Sequence, residues 1–267
     1  MTVDELVGRI DERIAALIPP GRAAEPLYGM LKYHLGWVDS EMHPAHGDPG
    51  KRVRSRLSLL ACEAAGGRAE DALPAATAVE LLHNFSLIHD DIQDRSELRR
   101  HRKTVWAIWG EAQAINAGDE MFVLSQLAVL EASAPQVATA AARILNEASR
   151  RLCEGQYLDL AFELRDTVTI EQYLEMIEGK TAALLEAACL MGGIFAGADA
   201  AVASGLARYG REMGLAFQMR DDYLGIWGDP AETGKPAADD VAGKKKTLPI
   251  LYALNNAPAE DRLTLRR

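Results

Sequence analysis

The sequence predicts an all-α protein, and three observations carry that reading. Ala, Leu, Glu and Arg fill long segments, runs of alternating Val, Ile and Thr are absent, and only 6% of residues are aromatic, which leaves strands little to be made of. Gly and Pro divide these segments at GDPG 47–50, GG 66–67, Pro135 and GDPAETGKP 228–236. The helices so delimited run over 3–18, 25–41, 52–65, 72–95, 111–132, 136–164, 170–196 and 200–227. The first begins as the amphipathic, charged MTVDELVGRIDERI, which lacks the apolar core of a secretory signal. The third opens on GKRVR, directly after Pro49. The fourth is apolar on most sides and has no Lys or Arg between Ala69 and Asp94. The seventh starts on a capping box, Thr169 with Gln172, and runs into the longest apolar stretch, Ala187 to Ala198, which is too short to span a bilayer. No repeat or low-complexity linker intervenes, so one domain over 1–267 is the simplest organisation.

The charge balance narrows the partners. There are 29 Lys and Arg against 39 Asp and Glu, a net charge of −10, so neither nucleic acid nor an anionic membrane is the default partner. Cys62, Cys153 and Cys189 are far apart with no CxxC or CxH spacing, which argues against a disulfide framework or structural zinc. All three are read as packing residues, and the protein is expected to be cytoplasmic.

Chemistry concentrates in two segments. The helix over 72–95 ends with Asp90, Asp91 and Asp94. Asp90 and Asp94 fall on one face a turn apart, with Asp91 about 100° around. Like charges so spaced repel by roughly 0.2–0.5 kcal/mol, and neither Asp90 nor Asp94 has a cation four residues on. Hard oxygen donors at that spacing suit Mg²⁺, which favours carboxylates together with substrate phosphates. A solvated helix end is the plain alternative. Against it stands the sequel: Arg95, Arg99, Arg100, Arg102 and Lys103, with paired arginines of the kind that grip phosphate oxygens. The second segment, GLAFQMRDDYLGIWGDPAETGKPAADDVAGKKKTLP, follows the same order. Asp221 and Asp222 close an apolar helix; Asp229, Lys235, Asp239, Asp240 and Lys244 to Lys246 follow. Two such segments, far apart in a helical chain, are best explained by convergence on one polyphosphate. Lys51, Arg52 and Arg54 lie near a helix N-terminus that favours anions, although no P-loop motif is present.

Taken together in this order, these motifs resemble the trans-isoprenyl diphosphate synthases, or polyprenyl synthetases, over nearly the whole chain. GKRVR is similar to that family's GKRxRP, HDDIQD to its first aspartate-rich motif, LRR to its arginine pair, EGKTAAL to its Lys-Thr step, and FQMRDDYLG to its second aspartate-rich motif. The resemblance implies an antiparallel helical bundle of the isoprenoid synthase type with a cavity between central helices, and a homodimer. It implies about three Mg²⁺ ions, held by Asp90 and Asp94 with Asp91 in support, and by Asp221 assisted by Asp222. Arg99, Lys180, Lys235 and Lys245 would neutralise an allylic diphosphate. Lys51, Arg54, His83 and Arg100 would hold isopentenyl diphosphate, with Arg52 in the same segment. Thr181 and Gln218 would sit near the developing allylic cation. Phe85, with Ser86 beside it, would form the floor that stops the product at twenty carbons.

The match departs in places. Ser55 stands where the family often has Pro, His101 where Gly is common, and Gly225 where the second motif has its third Asp. Relatives also continue through further helices beyond the lysine loop, so the resemblance leaves those of this chain short or absent. A terpene cyclase shares DDxxD, but no NSE-type motif is present and GKR serves a second diphosphate. A weakly active regulatory subunit is the remaining alternative, favoured by Gly225 and opposed by both aspartate pairs. Among single residues, His89 reads as a packing or supporting residue, His34, His43 and His46 as surface, and Trp106 and Trp109 as core.

Overall fold

A computed structural model describes residues 2–20, 23–228, 241 and 245–265. Its helices are α1 (Val3–Leu17), α2 (Glu25–His34), α3 (Val53–Ala64), α4 (Leu73–Gln93), α5 (Val105–Trp109), α6 (Glu111–Leu130), α7 (Pro135–Glu163), α8 (Ile170–Ile177), α9 (Ala183–Phe195), α10 (Ala200–Trp227), α11 (Leu248–Asn256) and α12 (Ala259–Leu265). The all-α expectation holds; the strands described are β1 (Leu98–Arg99) and β2 (Arg102–Lys103), a two-residue antiparallel pair. The chain divides into two compact units, 1–146 with 187–207, and 147–186 with 208–267.

The first unit is built around α4. Every residue from Ala72 to Leu82 is buried, the pattern of a helix enclosed on all sides rather than lying on a surface. Helix α6 packs along it, and α1 and α3 take other faces. Close approach of α4 and α6 depends on Gly118, where a Cβ would stand 2.3 Å from the His89 ring. The aspartates at the end of α4 are thereby mounted on the most enclosed helix of the unit.

Three local features differ from the sequence reading. Helix α2 stops at His34 instead of continuing to 41, because Gly36 turns the chain at φ 85° and its carbonyl accepts from Gly47 N–H at 2.8 Å. Arg102 secures this exit: it donates to the Tyr33 and Val38 carbonyls at 3.2 and 2.7 Å and lies 4.1 Å over the Tyr33 ring. Second, the arginine run forms the β1–β2 hairpin, with Arg100 and His101 both left-handed at φ 51° and 61°. That conformation explains why Gly suits the position of His101, since a side chain there costs about 1 kcal/mol. We expect His101→Gly to raise stability by about 1 kcal/mol, seen as a higher urea midpoint at unchanged slope; an unchanged or lower midpoint would contradict the strain.

The third difference lies in the second unit. The stretch 170–196 does not run as one α-helix; a π-helical turn, Glu178–Ala182, separates α8 from α9. Ahead of it the Thr169–Gln172 capping box is present in both directions, at 3.2 and 3.0 Å. At the turn the backbones touch: a Cβ on Gly155 would stand 2.1 Å from Lys180 N, and one on Gly179 2.6 Å from the Arg151 carbonyl. Glu178 is fastened by Arg151 at 3.1 Å and Arg211 at 2.8 Å. A core of Phe162, Val168, Tyr173, Met176, Ile177 and Leu251 closes beneath. Cys62 and Cys189 are buried, with thiols pushed up to about 11 by loss of water. Cys153 is exposed, which corrects its reading as a packing residue.

Candidate active site

In the first unit the last turn of α4 presents Asp90, Asp91 and Asp94, the last as the helix C-cap. Asp91 is buried, and burial pushes its carboxyl up to about 6; Arg99 opposes that rise, and Asp90 and Asp94 add to it. The relief missing along the helix comes from the hairpin. Arg99 Nε donates to Asp91 Oδ1 at 2.8 Å and Nη2 to Asp90 Oδ2 at 3.4 Å. Among the described residues no three His, Cys, Asp or Glu side chains are grouped to hold a metal alone. Mg²⁺ does not require such a cage, because it keeps water and takes one or two carboxylates with substrate phosphates. Asp90 and Asp94, hard oxygen donors crowded enough with Asp91 to raise its pKa, fit that requirement.

Beside them lies a cation-rich pocket lined by His34, Asp48, Asp91, Arg99, Arg100 and Arg102, among others. Arg100 is partly buried, which weakens its hold on its proton, and it donates to the Asp48 carbonyl at 3.2 Å. Gly50, at φ 77°, lies flat against that guanidinium, where a Cβ would come within 2.6 Å. Arg54 Nη1 meets His83 Nε2 at 3.3 Å, and burial with Arg54 and Arg100 nearby holds the His83 ring well below its ordinary pKa. Lys51 is exposed.

Arg52 is placed differently from its neighbours. It is the left-handed N-cap of α3, and its side chain, 4% exposed, reaches Asp11 at 2.5 Å and Glu80 at 3.5 Å. Glu80 also accepts from Ser55 Oγ at 2.5 Å and Asn84 Nδ2 at 3.0 Å. Arg52 therefore faces the buried Glu80 and the half-open Asp11, and the Ser at position 55 supplies a hydrogen bond that a Pro could not. His34 is only partly at the surface: its Nε2 is buried, and burial among arginines holds the ring at about 3. Phe85 stands edge-on to His89 at 4.8 Å and 5.3 Å from Phe122 of α6, while Ser86 Oγ donates to the His83 carbonyl at 2.7 Å.

The second unit carries the other set. The π-turn presents Lys180 and Thr181, and such turns recur at functional sites because the extra residue re-aims side chains. Lys180 Nζ meets Asp159 Oδ2 at 2.5 Å. Thr181 Oγ1 donates to Gln218 Oε1 at 2.6 Å, and Gln218 Nε2 donates to Asp222 Oδ1 at 3.0 Å. Asp222 is buried and also accepts from Tyr173 Oη at 2.7 Å and Leu248 N–H at 3.0 Å. It organises α8, α10 and α11, while Asp221 beside it is exposed on α10. Lys245 precedes α11; Lys235, with Asp229, Asp239, Asp240 and Lys244, lies outside the described residues. Sequence reasoning missed Asp159, Tyr173, Glu80 and Asp11. For Asp159 a signal existed in Gly155, a costly residue mid-helix that calls for a packing reason.

An all-α fold with aspartates at the end of α4 clasped by Arg99, and a second aspartate pair on α10, is that of the isoprenoid synthase class. The chain belongs to the polyprenyl synthetase family, whose model matches residues 36–267. It is 48% identical over 233 residues to the (2E,6E)-farnesyl diphosphate synthase of Mycobacterium tuberculosis, covering 87% of this chain and 65% of that protein. It is 45% identical over 232 residues to the geranylgeranyl diphosphate synthase of the same organism, covering 87% and 66%. The chain thus spans about two thirds of the length of these relatives. A polyprenyl synthetase structure from Streptomyces coelicolor superposes with a TM-score of 0.90 at 44% identity, over 99% of this chain and 80% of the other. Among the described residues no helix is long and apolar enough to cross a membrane.

Proposed function

We propose that the chain is a Mg²⁺-dependent trans-prenyltransferase, condensing isopentenyl diphosphate head to tail with an allylic diphosphate. One observation carries this reading above the others: the three aspartates that end α4 adjoin a pocket lined by Asp91, Arg99, Arg100 and Arg102. The similar synthases named for farnesyl and geranylgeranyl diphosphate support it.

Asp90 and Asp94, supported by Asp91, and Asp221 on α10 would hold the Mg²⁺, about three ions by family likeness; when bound, Mg²⁺ supplies charge neutralisation for the leaving diphosphate. Arg99, Lys180, Lys235 and Lys245 bind that same diphosphate, which favours its departure from the allylic carbon. Lys51, Arg54, His83 and Arg100 orient isopentenyl diphosphate, so that its double bond attacks the allylic cation. Thr181 and Gln218 turn oxygen atoms toward that cation, and the proton lost at the end passes to the departing diphosphate. No side-chain nucleophile takes part, in keeping with the high thiol pKa of Cys62 and Cys189. The reading includes a single catalytic domain, supported by a family match that runs through both units, together with a homodimer in the cytoplasm.

Geranylgeranyl diphosphate is the favoured product by family likeness, because Phe85 lies more than one turn below Asp90 with the small Ser86 beside it and no insertion in DDIQD; Phe85 packs against Phe122 of α6. Phe85→Ala is expected to shift the distribution to chains at least one five-carbon unit longer, read by chromatography of the dephosphorylated alcohols. An unchanged distribution would remove Phe85 as the floor. The function itself is tested by incubating pure protein with Mg²⁺, isopentenyl diphosphate and, in turn, dimethylallyl, geranyl and farnesyl diphosphate. No turnover with any primer sinks the proposal.

A further inference from the structure

Asp222 neighbours Asp221 in sequence, but it is buried while Asp221 is exposed on α10. Both its oxygens are occupied inside the second unit. Oδ2 accepts from Tyr173 Oη at 2.7 Å and from Leu248 N–H at 3.0 Å, and Oδ1 accepts from Gln218 Nε2 at 3.0 Å. One of these donors cannot be reversed. Leu248 N–H opens α11, where it has no partner within the helix, so an oxygen has to face it. An ionised carboxylate has no hydrogen to give, so the Gln218 amide must turn its nitrogen toward Asp222. The rest of the chain follows in order. Gln218 Oε1 points the other way and accepts the Thr181 hydroxyl at 2.6 Å. That hydroxyl has a single hydrogen, and this bond uses it. What Gln218 Oε1 and Thr181 Oγ1 have left to offer is lone pairs.

We propose that Asp222 is a positioning residue of prenyl transfer: acting through Gln218, it fixes the direction of this hydrogen-bond chain, so that oxygen lone pairs and not hydrogens face the allylic cation. This rests on the prenyl-transfer reading, in which Thr181 and Gln218 adjoin that cation. It replaces the metal-assisting role that the motif suggests for Asp222. A side-chain amide presents a negative or a positive end according to how it is turned, and the two orientations hardly differ in shape. Beside a carbon that becomes positive they act in opposite directions. The choice has to be made before the allylic C–O bond breaks, since a dipole set in advance costs no reorganisation during the reaction. A buried carboxylate, held on its far oxygen by Tyr173 and the start of α11, makes that choice.

Asp222→Asn tests this with almost no change of shape. Leu248 N–H keeps the remaining oxygen on its own side, so the new amide nitrogen faces Gln218. Donor then meets donor, and the Gln218 amide turns over to present its hydrogens to Thr181. At saturating Mg²⁺ and isopentenyl diphosphate, the single-turnover rate is expected to fall about a hundredfold, the scale of one lost preorganised partner. The concentrations of both diphosphates at half-saturation should stay within about twofold, because the loss belongs to the transition state. The double variant Asp222→Asn, Gln218→Glu exchanges carboxylate and amide between the two positions. Every donor again meets an acceptor and oxygen again faces Thr181, so its rate should return to within about tenfold of wild type. A near-normal rate in Asp222→Asn overturns the proposal. So does a loss repaired by more Mg²⁺, which would assign Asp222 to the metal instead. A double variant that stays slow or fails to fold also overturns it, even where Asp222→Asn does not fold by circular dichroism, since all its hydrogen bonds are satisfied. If the wild-type protein turns over no primer, the prenyl-transfer reading fails first; wild-type turnover beside an unaffected Asp222→Asn sinks this inference alone.

Discussion

Replacing Asp90 with alanine is expected to lower turnover by about a thousandfold or more while leaving the fold intact. On the proposed reaction Asp90 is a donor to the cation that neutralises the leaving diphosphate, and an interaction of that kind is worth about 4 kcal/mol in the transition state. The side chain is 21% exposed at the end of α4, and its removal relieves repulsion on Asp91 and Asp94 instead of opening a core cavity. The melting temperature should therefore stay level or rise slightly. Rates measured with saturating isopentenyl and allylic diphosphates, alongside a thermal melt, check both halves. Near-normal turnover would contradict the metal assignment.

The second large effect falls on stability. Glu80→Ala is expected to cost about 3 kcal/mol, which lowers the melting temperature by roughly 6–12 °C for a chain of this size. Glu80 is 3% exposed as a side chain and faces Arg52 at 4%. Removing it leaves a buried guanidinium with only the half-open Asp11, and takes partners from Ser55 and Asn84 as well. Glu80→Gln keeps much of the hydrogen bonding without the charge and should fall between. A shift below about 2 °C would mean that Asp11 and water suffice for Arg52.

The helices and the chemistry-bearing motifs were legible for different reasons. Helix α4 could be read because burial on every side leaves a long stretch with no cation, and its aspartates could be read because nothing local balanced them. What balanced them came from outside the helix. Arg99 reaches Asp91 across a hairpin turn made by two left-handed non-glycine residues, which no pattern of Arg and His announces. The π-turn was hidden for a related reason: EGKTA has ordinary helix formers, and the extra residue is held by Gly155, Arg151 and Arg211 far away in sequence. Arg52 shows the limit from the other side. Its neighbours and charge are those of a phosphate ligand, but a left-handed backbone turns it into the protein toward Asp11 and Glu80. Motif spacing locates a residue along the chain; the direction of its side chain depends on a backbone angle that composition does not encode.

The clasp of Arg99 on Asp90 and Asp91 makes occupancy of this site an exchange and not an addition. Arg99 cannot serve Asp90 and a diphosphate oxygen fully at once, so a divalent ion arriving at Asp90 competes with a resident guanidinium. The guanidinium it releases is the one the diphosphate needs. Each ligand thus prepares the berth of the other, and on the proposed reaction their affinities are coupled, by the same factor in either direction. Loading either one by itself parts Arg99 from Asp90 and gives a new partner to only one of the two. On that proposal the site resists idle occupation by whichever of its two ligands is in excess.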